Sequence, residues 1–441
     1  MKLLLSKSVS FVKKNLLAIT GGLIITWFVF AFLIYPNAQI IFRSFVTEEG
    51  FTFNLFTKLL NSENAVNGVK NSFLLAFSLV ITSNILGAFM VMVVEYFEVN
   101  GSKILKQGYM TTFIYSGIIL VSGYIMVYGK NGLITKGLLS IFPNLNPNYF
   151  EGFWAVLFVM TVATTTLHMM FLGNSIKSID NYSIEAAKNL GGSTFYIIRK
   201  IVLPIISPTL FAITILQFLT GLGALSAPLM VGGKEFRTIS PLILQLNKIP
   251  TSQGLAIVLS MILGLTTLIL LLVFTRIEKG GTYFSISKTK ATFKKQKINN
   301  PIANVIVHFL AYLVFIIYVT PVVLIVIFSF TNANAIYNLE LSFNSLTLQN
   351  YKTILTNPNT LSPFINSIVF SFEAAVAVVV VVMVGTALRH SKKNFFTAFI
   401  EYSFLIPWML PGTLIAIALL TTYSMPNIFV LGNVLIGTTL L

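Results

Sequence analysis

The chain contains no cysteine, only three histidines and only 13 acidic residues among its 441 positions. Without cysteine it has no disulfides, no thiolate metal sites and no cysteine nucleophile. Charged residues make up 10% of the chain and hydrophobic residues 56%. Soluble domains carry about 25% charged residues, so this composition also excludes an ordinary soluble fold.

Apolar runs of about 20 residues, the length that crosses a bilayer as a helix, recur along the whole sequence. These runs do not alternate in polarity as the strands of a membrane barrel do. We therefore predict an all-α, polytopic helical bundle in a lipid bilayer. The predicted spans are residues 16–35, 72–94, 109–128, 153–170, 207–224, 255–275, 304–327, 366–388 and 397–421, with a tenth beginning near 429.

The basic residues predict the orientation of these spans. With the N-terminus in the cytoplasm, 20 of the 29 lysines and arginines fall in segments on the cytoplasmic side and 9 on the other side. The positive-inside rule favours this arrangement. The net charge of +16 is then a topology signal with affinity for anionic lipid head groups, and it requires no nucleic-acid partner.

An internal repeat divides the sequence into two tandem parallel halves. Residues 51–72 align without gaps with residues 346–367, at an offset of 295, and both blocks end in Asn-Ser. The first half, 1–275, has six predicted spans. A basic cytoplasmic linker, 276–303, has the composition of a solvated tether. The second half, 304–441, holds three helices and the start of a fourth, and we expect it to be incomplete.

The loop between the fourth and fifth spans, residues 185–204, reads EAAKNLGGSTFYIIRKIVLP. Its first residues favour a short helix with small side chains that permit close approach by a partner. Gly191 can adopt the left-handed conformation that ends such a helix. A second short helix is expected from Ser193 to Ile201, and Pro204 suits the first turn of the fifth span.

This loop resembles the EAA loop of bacterial ABC importer permeases, whose pattern is E-A-A, three residues, G, nine residues, I-x-L-P. The resemblance implies a type I ABC importer permease fold in the bacterial cytoplasmic membrane and a loop that docks onto an ATPase. The positions that match the pattern are Glu185, Ala186, Ala187, Gly191, Ile201, Leu203 and Pro204.

A second E-A-A triplet begins at Glu373, but position 379 is valine where the pattern has glycine, and the triplet lies inside the eighth span. The repeat instead places a second true loop near position 475. We therefore expect a reading frame that continues for on the order of a hundred residues, by the repeat length.

The chain contains no GxxxxGK[ST] phosphate loop; the segment GGKEF at 232–236 has Glu235 where the hydroxyl must be. We therefore expect no enzyme activity and no bound cofactor in this chain. The resemblance implies that ATP and Mg are bound by separate ATPase subunits, expected to be a homodimer. It also implies an extracytoplasmic binding protein that delivers the substrate.

Two segments, YGKNGLI at 128–134 and PWMLPGTLIAIALL at 407–420, resemble the ferric-iron branch of these permeases, so ferric iron is the expected substrate. Related permeases for thiamine, phosphonate, polyamine or sulfate leave those substrates open. His168, His308 and His390 are far apart in sequence and close to predicted membrane edges, so we expect them not to be metal ligands.

Glu373 is the main acidic residue inside a predicted span, and it should face the bundle interior because a charge facing lipid is costly. It either lines the translocation path and contacts a cationic cargo, or is protonated or paired for structural reasons, the interpretation we favour. The alternative class of protein is an ion-coupled secondary transporter, which would use an intramembrane carboxylate for coupling.

Overall fold

The computed structural model describes residues 20–47, 50–279, 292–391, 394–404 and 412–424. These residues are predominantly helical, with one antiparallel hairpin of two short strands, β1 (Val46–Thr47) and β2 (Gly50–Phe51). The helices are, in chain order, α1 (Thr20–Phe45), α2 (Asn54–Leu60), α3 (Glu63–Tyr96), α4 (Ser102–Tyr109), α5 (Gly117–Tyr128), α6 (Leu133–Ile141), α7 (Phe153–Thr164), α8 (Thr166–Lys177), α9 (Asn181–Asn189), α10 (Thr194–Leu222), α11 (Ser226–Val231), α12 (Ile239–Asn247), α13 (Gln253–Lys279), α14 (Pro301–Ser329), α15 (Ala333–Asn338), α16 (Gln349–Thr356), α17 (Pro358–Ser391), α18 (Phe395–Ser403) and α19 (Gly412–Tyr423).

The helical membrane fold predicted from composition is confirmed. Within the described residues, seven helices are long and apolar enough to cross a membrane, and the bent pair α7 and α8 makes an eighth. Each of the first eight predicted spans coincides with one of these. Of the ninth, 397–421, the structure describes both ends, which lie in α18 (Phe395–Ser403) and α19 (Gly412–Tyr423); residues 405–411 lie outside the described residues. The tenth lies outside the described residues.

Helix starts repeat with the offset seen in the sequence. The starts of α2 and α16, at Asn54 and Gln349, are 295 residues apart, and so are the starts of α3 and α17, at Glu63 and Pro358. Both long helices begin eight or nine residues before the predicted spans at 72 and 366, since their first turns are polar yet helical. The repeat therefore extends to backbone structure, while the domain boundaries at 275 and 303 stay predictions.

The chain folds into two compact units, each of which draws on both predicted halves. The first unit contains residues 1–62, 243–267 and 351–441, and the second contains residues 63–242 and 268–350. In the first unit, α1 packs against α19. The Tyr423 hydroxyl donates to the carbonyl oxygen of Ala31, and Arg43 Nη1 donates to that of Thr421 at 3.1 Å.

The second unit is built around α10, which packs along α3 and α8, while α14 packs against α4 and α5. The approach of α10 to α3 is close: a Cβ at Gly221 would lie 2.7 Å from the Cα of Ala76. Small residues permit such backbone contact between membrane helices, where packing supplies much of the association energy. Tyr109 and Tyr124 are fully buried and donate their hydroxyls to carbonyl oxygens of α14.

The fourth span is bent by 41° where α7 meets α8. A bend frees backbone carbonyls that lipid cannot satisfy. Here the buried Gln217 of α10 donates Nε2 to the carbonyl oxygen of Thr164 at 2.8 Å. The bend is thus stabilised from the neighbouring helix.

Candidate coupling loop

Helix α9 forms the first arm of the motif-bearing loop. Its N-terminus is capped by Asp180, whose Oδ1 accepts the backbone N–H of Tyr182 at 3.1 Å. At its C-terminus Gly191 has φ +81°. The N–H of Gly192 donates to Ala187 O at 2.8 Å and that of Gly191 to Lys188 O at 2.9 Å. These two bonds form a Schellman cap, so the predicted end of the helix at Gly191 is confirmed.

Helix α10 forms the second arm, and it differs from the prediction of a separate short helix over 193–201. Ser193 caps it by accepting the N–H of Tyr196 at 3.2 Å, and it continues without a break to Leu222. Pro204 therefore lies inside a continuous helix. The wide π turn at Ile198–Val202 precedes this proline, and such a turn relieves the clash of a proline ring with the preceding turn. The second arm of the loop and the fifth span are therefore one continuous helix.

Two buried isoleucines anchor the loop to the core of the second unit. Ile184 of α9 is 0% exposed and Ile197 of α10 is 1% exposed. The other motif residues lie nearer the surface: Ala187 and Ile201 are half-buried, whereas Glu185, Ala186, Gly191, Leu203 and Pro204 are exposed.

Large apolar side chains project from the loop at positions that the motif does not specify. Leu190 is 89% exposed and Phe195 is 71% exposed, and they flank the glycine turn. Exposed apolar groups clustered in this way mark an interaction surface. Their exposure could have been predicted from the sequence, because both residues lie close to Gly191, at the turn between the two helical arms.

The end of the linker returns to this loop. Gln296 pairs with Phe97 in a parallel bridge, where its N–H donates to Tyr96 O at 2.8 Å and its carbonyl accepts the N–H of Glu98 at 3.0 Å. The prediction of a solvated tether is therefore wrong for residues 293–296, whereas the side chains at 297, 299 and 300 are exposed. Lysines dominate the average composition of the segment, although Gln296 is buried and Phe293 is half-buried. An average over the segment cannot identify these two residues.

A buried carboxylate lies beside the returning linker. Glu95 side-chain exposure is 8%, and its oxygens contact Lys106 Nζ at 2.6 Å and Lys177 Nζ at 3.4 Å. Burial lowers the pKa of Lys295, and the charge of Glu95 opposes this shift. The sequence analysis missed this cluster; the signal for it was an acidic residue, Glu95, directly after the apolar run of α3.

The chain was compared with known proteins. No family model matches it. A probable ABC transporter permease of Sinorhizobium fredii is 33% identical over 419 residues, which cover 95% of this chain and 73% of that protein. The chain belongs to the ABC transporter permeases.

Two further proteins are similar to this permease. The spermidine/putrescine transport system permease PotC of Escherichia coli K12 is 23% identical over 230 residues, 51% of this permease and 81% of that protein. A crystal structure of a bacterial ABC transporter involved in the import of the polysaccharide alginate has a TM-score of 0.52 at 16% identity, covering 63% of this permease and 100% of that chain. The latter likeness supports the fold of the permease.

Contacts between loops show which of them share a face of the second unit. The loop at 95–108, the motif loop and the linker, all predicted to be cytoplasmic, touch one another through Glu95 and Gln296. Two loops predicted on the other side also meet, since Lys136 lies 3.5 Å from Glu340. The grouping of these loops is thereby confirmed, and the cytoplasmic N-terminus stays a prediction.

The structure does not gather the remaining predicted residues into one site. Glu373 is exposed on α17, as are all residues from 362 to 380, so the described residues do not enclose it as expected; its role stays a prediction. His168 is fully buried, and its Nε2 lies 3.0 Å from Asn84 Oδ1. Among the described residues, no group of three or more histidine or acidic side chains is arranged to hold a metal.

Proposed function

We propose that this permease forms the translocation path of a binding-protein-dependent importer and that residues 185–204 dock onto a separate ATPase. The observation that carries the proposal is the pair of exposed apolar side chains, Leu190 and Phe195, at the turn of an element that continues into a membrane span. ATP and Mg would be bound by the ATPase, proposed to be a homodimer. The loop face would then be cytoplasmic, with the N-terminus on the same side.

The loop is suited to docking because its two faces differ. Ile184 and Ile197 hold one face in the core, so little conformational entropy is left to lose when a partner binds the other face. Full burial of a leucine side chain contributes roughly 1.5–3 kcal/mol. Leu190 alone would therefore account for a substantial part of the affinity.

The continuity of α10 supplies a route for force. A helix of 29 residues is about 40 Å long at 1.5 Å per residue. Movement of the loop with a closing ATPase would tilt this whole helix, and with it the helices packed along it. We propose that this tilt exchanges inward- and outward-open states as nucleotide is bound and released.

Replacement of Leu190 tests the docking. We expect Leu190→Glu to insert normally and to reduce binding-protein-stimulated ATP hydrolysis of the reconstituted complex by roughly tenfold or more, the equivalent of one lost leucine contact. Leu348→Glu is the matched control, because Leu348 is also an exposed leucine, at 66%. It follows the C-terminus of α14, whereas the linker that contacts the loop precedes the N-terminus of that helix. Equal activity of the two variants would contradict the docking surface.

For the cargo, we propose a small polyamine. The similarity to a spermidine/putrescine permease supports this class, while the relatives described above give no support to ferric iron. Uptake of labelled putrescine and of ferric iron by proteoliposomes with the cognate binding protein would distinguish the two. ATP-independent uptake that an ionophore abolishes would instead indicate a secondary transporter.

Glu373 offers a separate test of the path. If its carboxylate contacts a cationic cargo, Glu373→Gln should lower polyamine uptake at normal abundance, because the amide removes the charge and preserves the shape. Unchanged uptake in this variant would remove Glu373 from the proposed path.

A further inference from the structure

The last part of the linker, residues 292–296, forms a return segment that is docked by its backbone and by one aromatic ring. Gln296 makes two backbone hydrogen bonds to the end of α3, described above. The ring of Phe293 packs against that of Tyr96 with centroids 5.7 Å apart. Within the segment, Gln296 Nε2 also donates to Lys294 O at 2.6 Å, and the N–H of Lys294 donates to Asn181 Oδ1 at 3.3 Å.

The Gln296 side chain connects this segment to α9. Its Oε1 accepts a hydrogen bond from Lys188 Nζ at 2.5 Å, and its Nε2 lies 3.4 Å from Asn181 Oδ1. Asn181 in turn donates Nδ2 to Glu185 Oε1 at 2.6 Å. Gln296 and Asn181 are 7% and 3% exposed. A buried polar chain thus runs from the linker to the glutamate of the motif.

We propose that Gln296 is a positioning residue that fixes the rotation of α9, and hence the direction in which the coupling loop presents its docking surface. The proposal rests on the proposed function and assigns a part in it to the linker. Lys188 and Asn181 are seven residues apart, about two helical turns. Two tethers at this separation restrain both rotation and tilt, whereas the apolar contact of Ile184 is non-directional.

The same segment leads directly into the second half of the sequence. Asn300 caps the N-terminus of α14, its Oδ1 accepting the N–H groups of Ile302 and Ala303 at 2.9 and 3.2 Å. Only a few residues separate this cap from Gln296, so the start of α14 and the orientation of α9 are set by one short stretch. The end of the linker therefore connects the N-terminus of α14 to helix α9.

Spin labelling tests this inference on the full permease, without the ATPase. Because the chain has no cysteine, Ser183→Cys on α9 and Lys103→Cys on α4, both exposed, give one labelled pair without background. We expect Gln296→Ala to broaden the distance distribution between the nitroxides. Each neutral hydrogen bond lost should raise the ratio of misoriented to oriented α9 roughly fivefold.

Two further variants serve as control and backup. Lys297→Ala, at an exposed neighbouring position, should leave the distribution unchanged. Gln296→Glu keeps an acceptor for Lys188 but loses the donor to Asn181 and to Lys294 O. It should therefore broaden the distribution less than Gln296→Ala, which loses all three partners. If the alanine variant does not fold, the glutamate variant tests the same network.

The functional readout is the number of ATP molecules hydrolysed per molecule of cargo, measured in the reconstituted complex. This ratio should rise in Gln296→Ala and stay constant in Lys297→Ala. Distance distributions that coincide for Gln296→Ala and the parent overturn the positioning role. Broadening with unchanged ATP hydrolysis in both Gln296→Ala and Leu190→Glu would overturn the proposed coupling function while leaving the structural role of Gln296 intact.

Discussion

Replacing Lys106 by methionine should destabilise the permease more than replacing its partner, Glu95, by glutamine. The two residues form one ion pair at 2.6 Å, but only the carboxylate is buried: its side chain is 8% exposed, against 37% for that of Lys106. The cost of breaking an ion pair depends on which charge is left behind in the protein. Here the charge that cannot reach water is that of Glu95.

The magnitudes follow from this asymmetry. Removing one member of a buried pair costs roughly 3–5 kcal/mol when the other charge is uncompensated. After Lys106→Met, Glu95 keeps its ion pair with Lys177 at 3.4 Å. Because this lysine compensates part of the buried charge, we expect the free energy of unfolding to fall by about 2–3 kcal/mol. After Glu95→Gln, the two lysines of the ion pairs, Lys106 and Lys177, keep contact with water, since their side chains are 37% and 54% exposed. The loss should therefore be near the value of one hydrogen bond, about 1 kcal/mol.

Unfolding in mixed micelles of dodecyl maltoside and increasing SDS, followed by far-ultraviolet circular dichroism, would measure both losses. The double variant completes a cycle that isolates the pairwise term, which we expect to be about 1–2 kcal/mol for residues in direct contact. A larger loss for Glu95→Gln than for Lys106→Met, or two losses below about 0.5 kcal/mol, would refute the view that a buried carboxylate governs this cluster.

Two glycines provide further predictions. In Gly191→Val the new Cβ meets no atom within 4 Å, but a branched residue is forced to φ +81°, which costs about 1–2 kcal/mol. The variant should insert and fold yet lose stimulated ATP hydrolysis. Full stimulation would contradict a coupling role. Gly221→Val should lower the yield of monodisperse protein in size-exclusion chromatography, because its Cβ would lie 2.7 Å from the Cα of Ala76 and such overpacking costs roughly 1–3 kcal/mol or more. Gly137→Ala, at a helical position with open space around it, should behave as the parent. Equal yields of Gly221→Val and Gly137→Ala would contradict the close packing of α10 on α3.

The spans and the motif loop could be predicted from sequence because each is a local property. Hydropathy locates a span from one stretch of about 20 residues, and the turn at Gly191 follows from its freedom to take positive φ. Helix boundaries were less accurate where polar residues continue a helix beyond its apolar run, as at Glu63. The extension of α10 through Pro204 was missed because a proline in a loop indicates a helix start more often than a helix interior.

The contacts around the loop could not be predicted because they join residues distant in sequence. Gln296 and Asn181 are 115 positions apart, and neither the lysine-rich linker nor the end of α3 indicates the other. A single buried glutamine among lysines leaves the average composition of the segment that of a solvated chain. Only the fold shows that one backbone bridge and one ring contact remove it from water.

The two copies of the repeat differ at residues that matter for the packing of α3. Helices α3 and α17 start at equivalent positions, yet the middle of α3 is buried on one face and that of α17 is exposed. The buried face of α3 includes Ser83 and Gly87, and a Cβ at Gly87 would lie 2.3 Å from the His168 ring. At the offset of 295, these positions in α17 are Val378 and Val382. Small residues permit the close approach seen at Gly87, and the alignment does not preserve them, so the repeat in helix boundaries does not carry this particular contact with it.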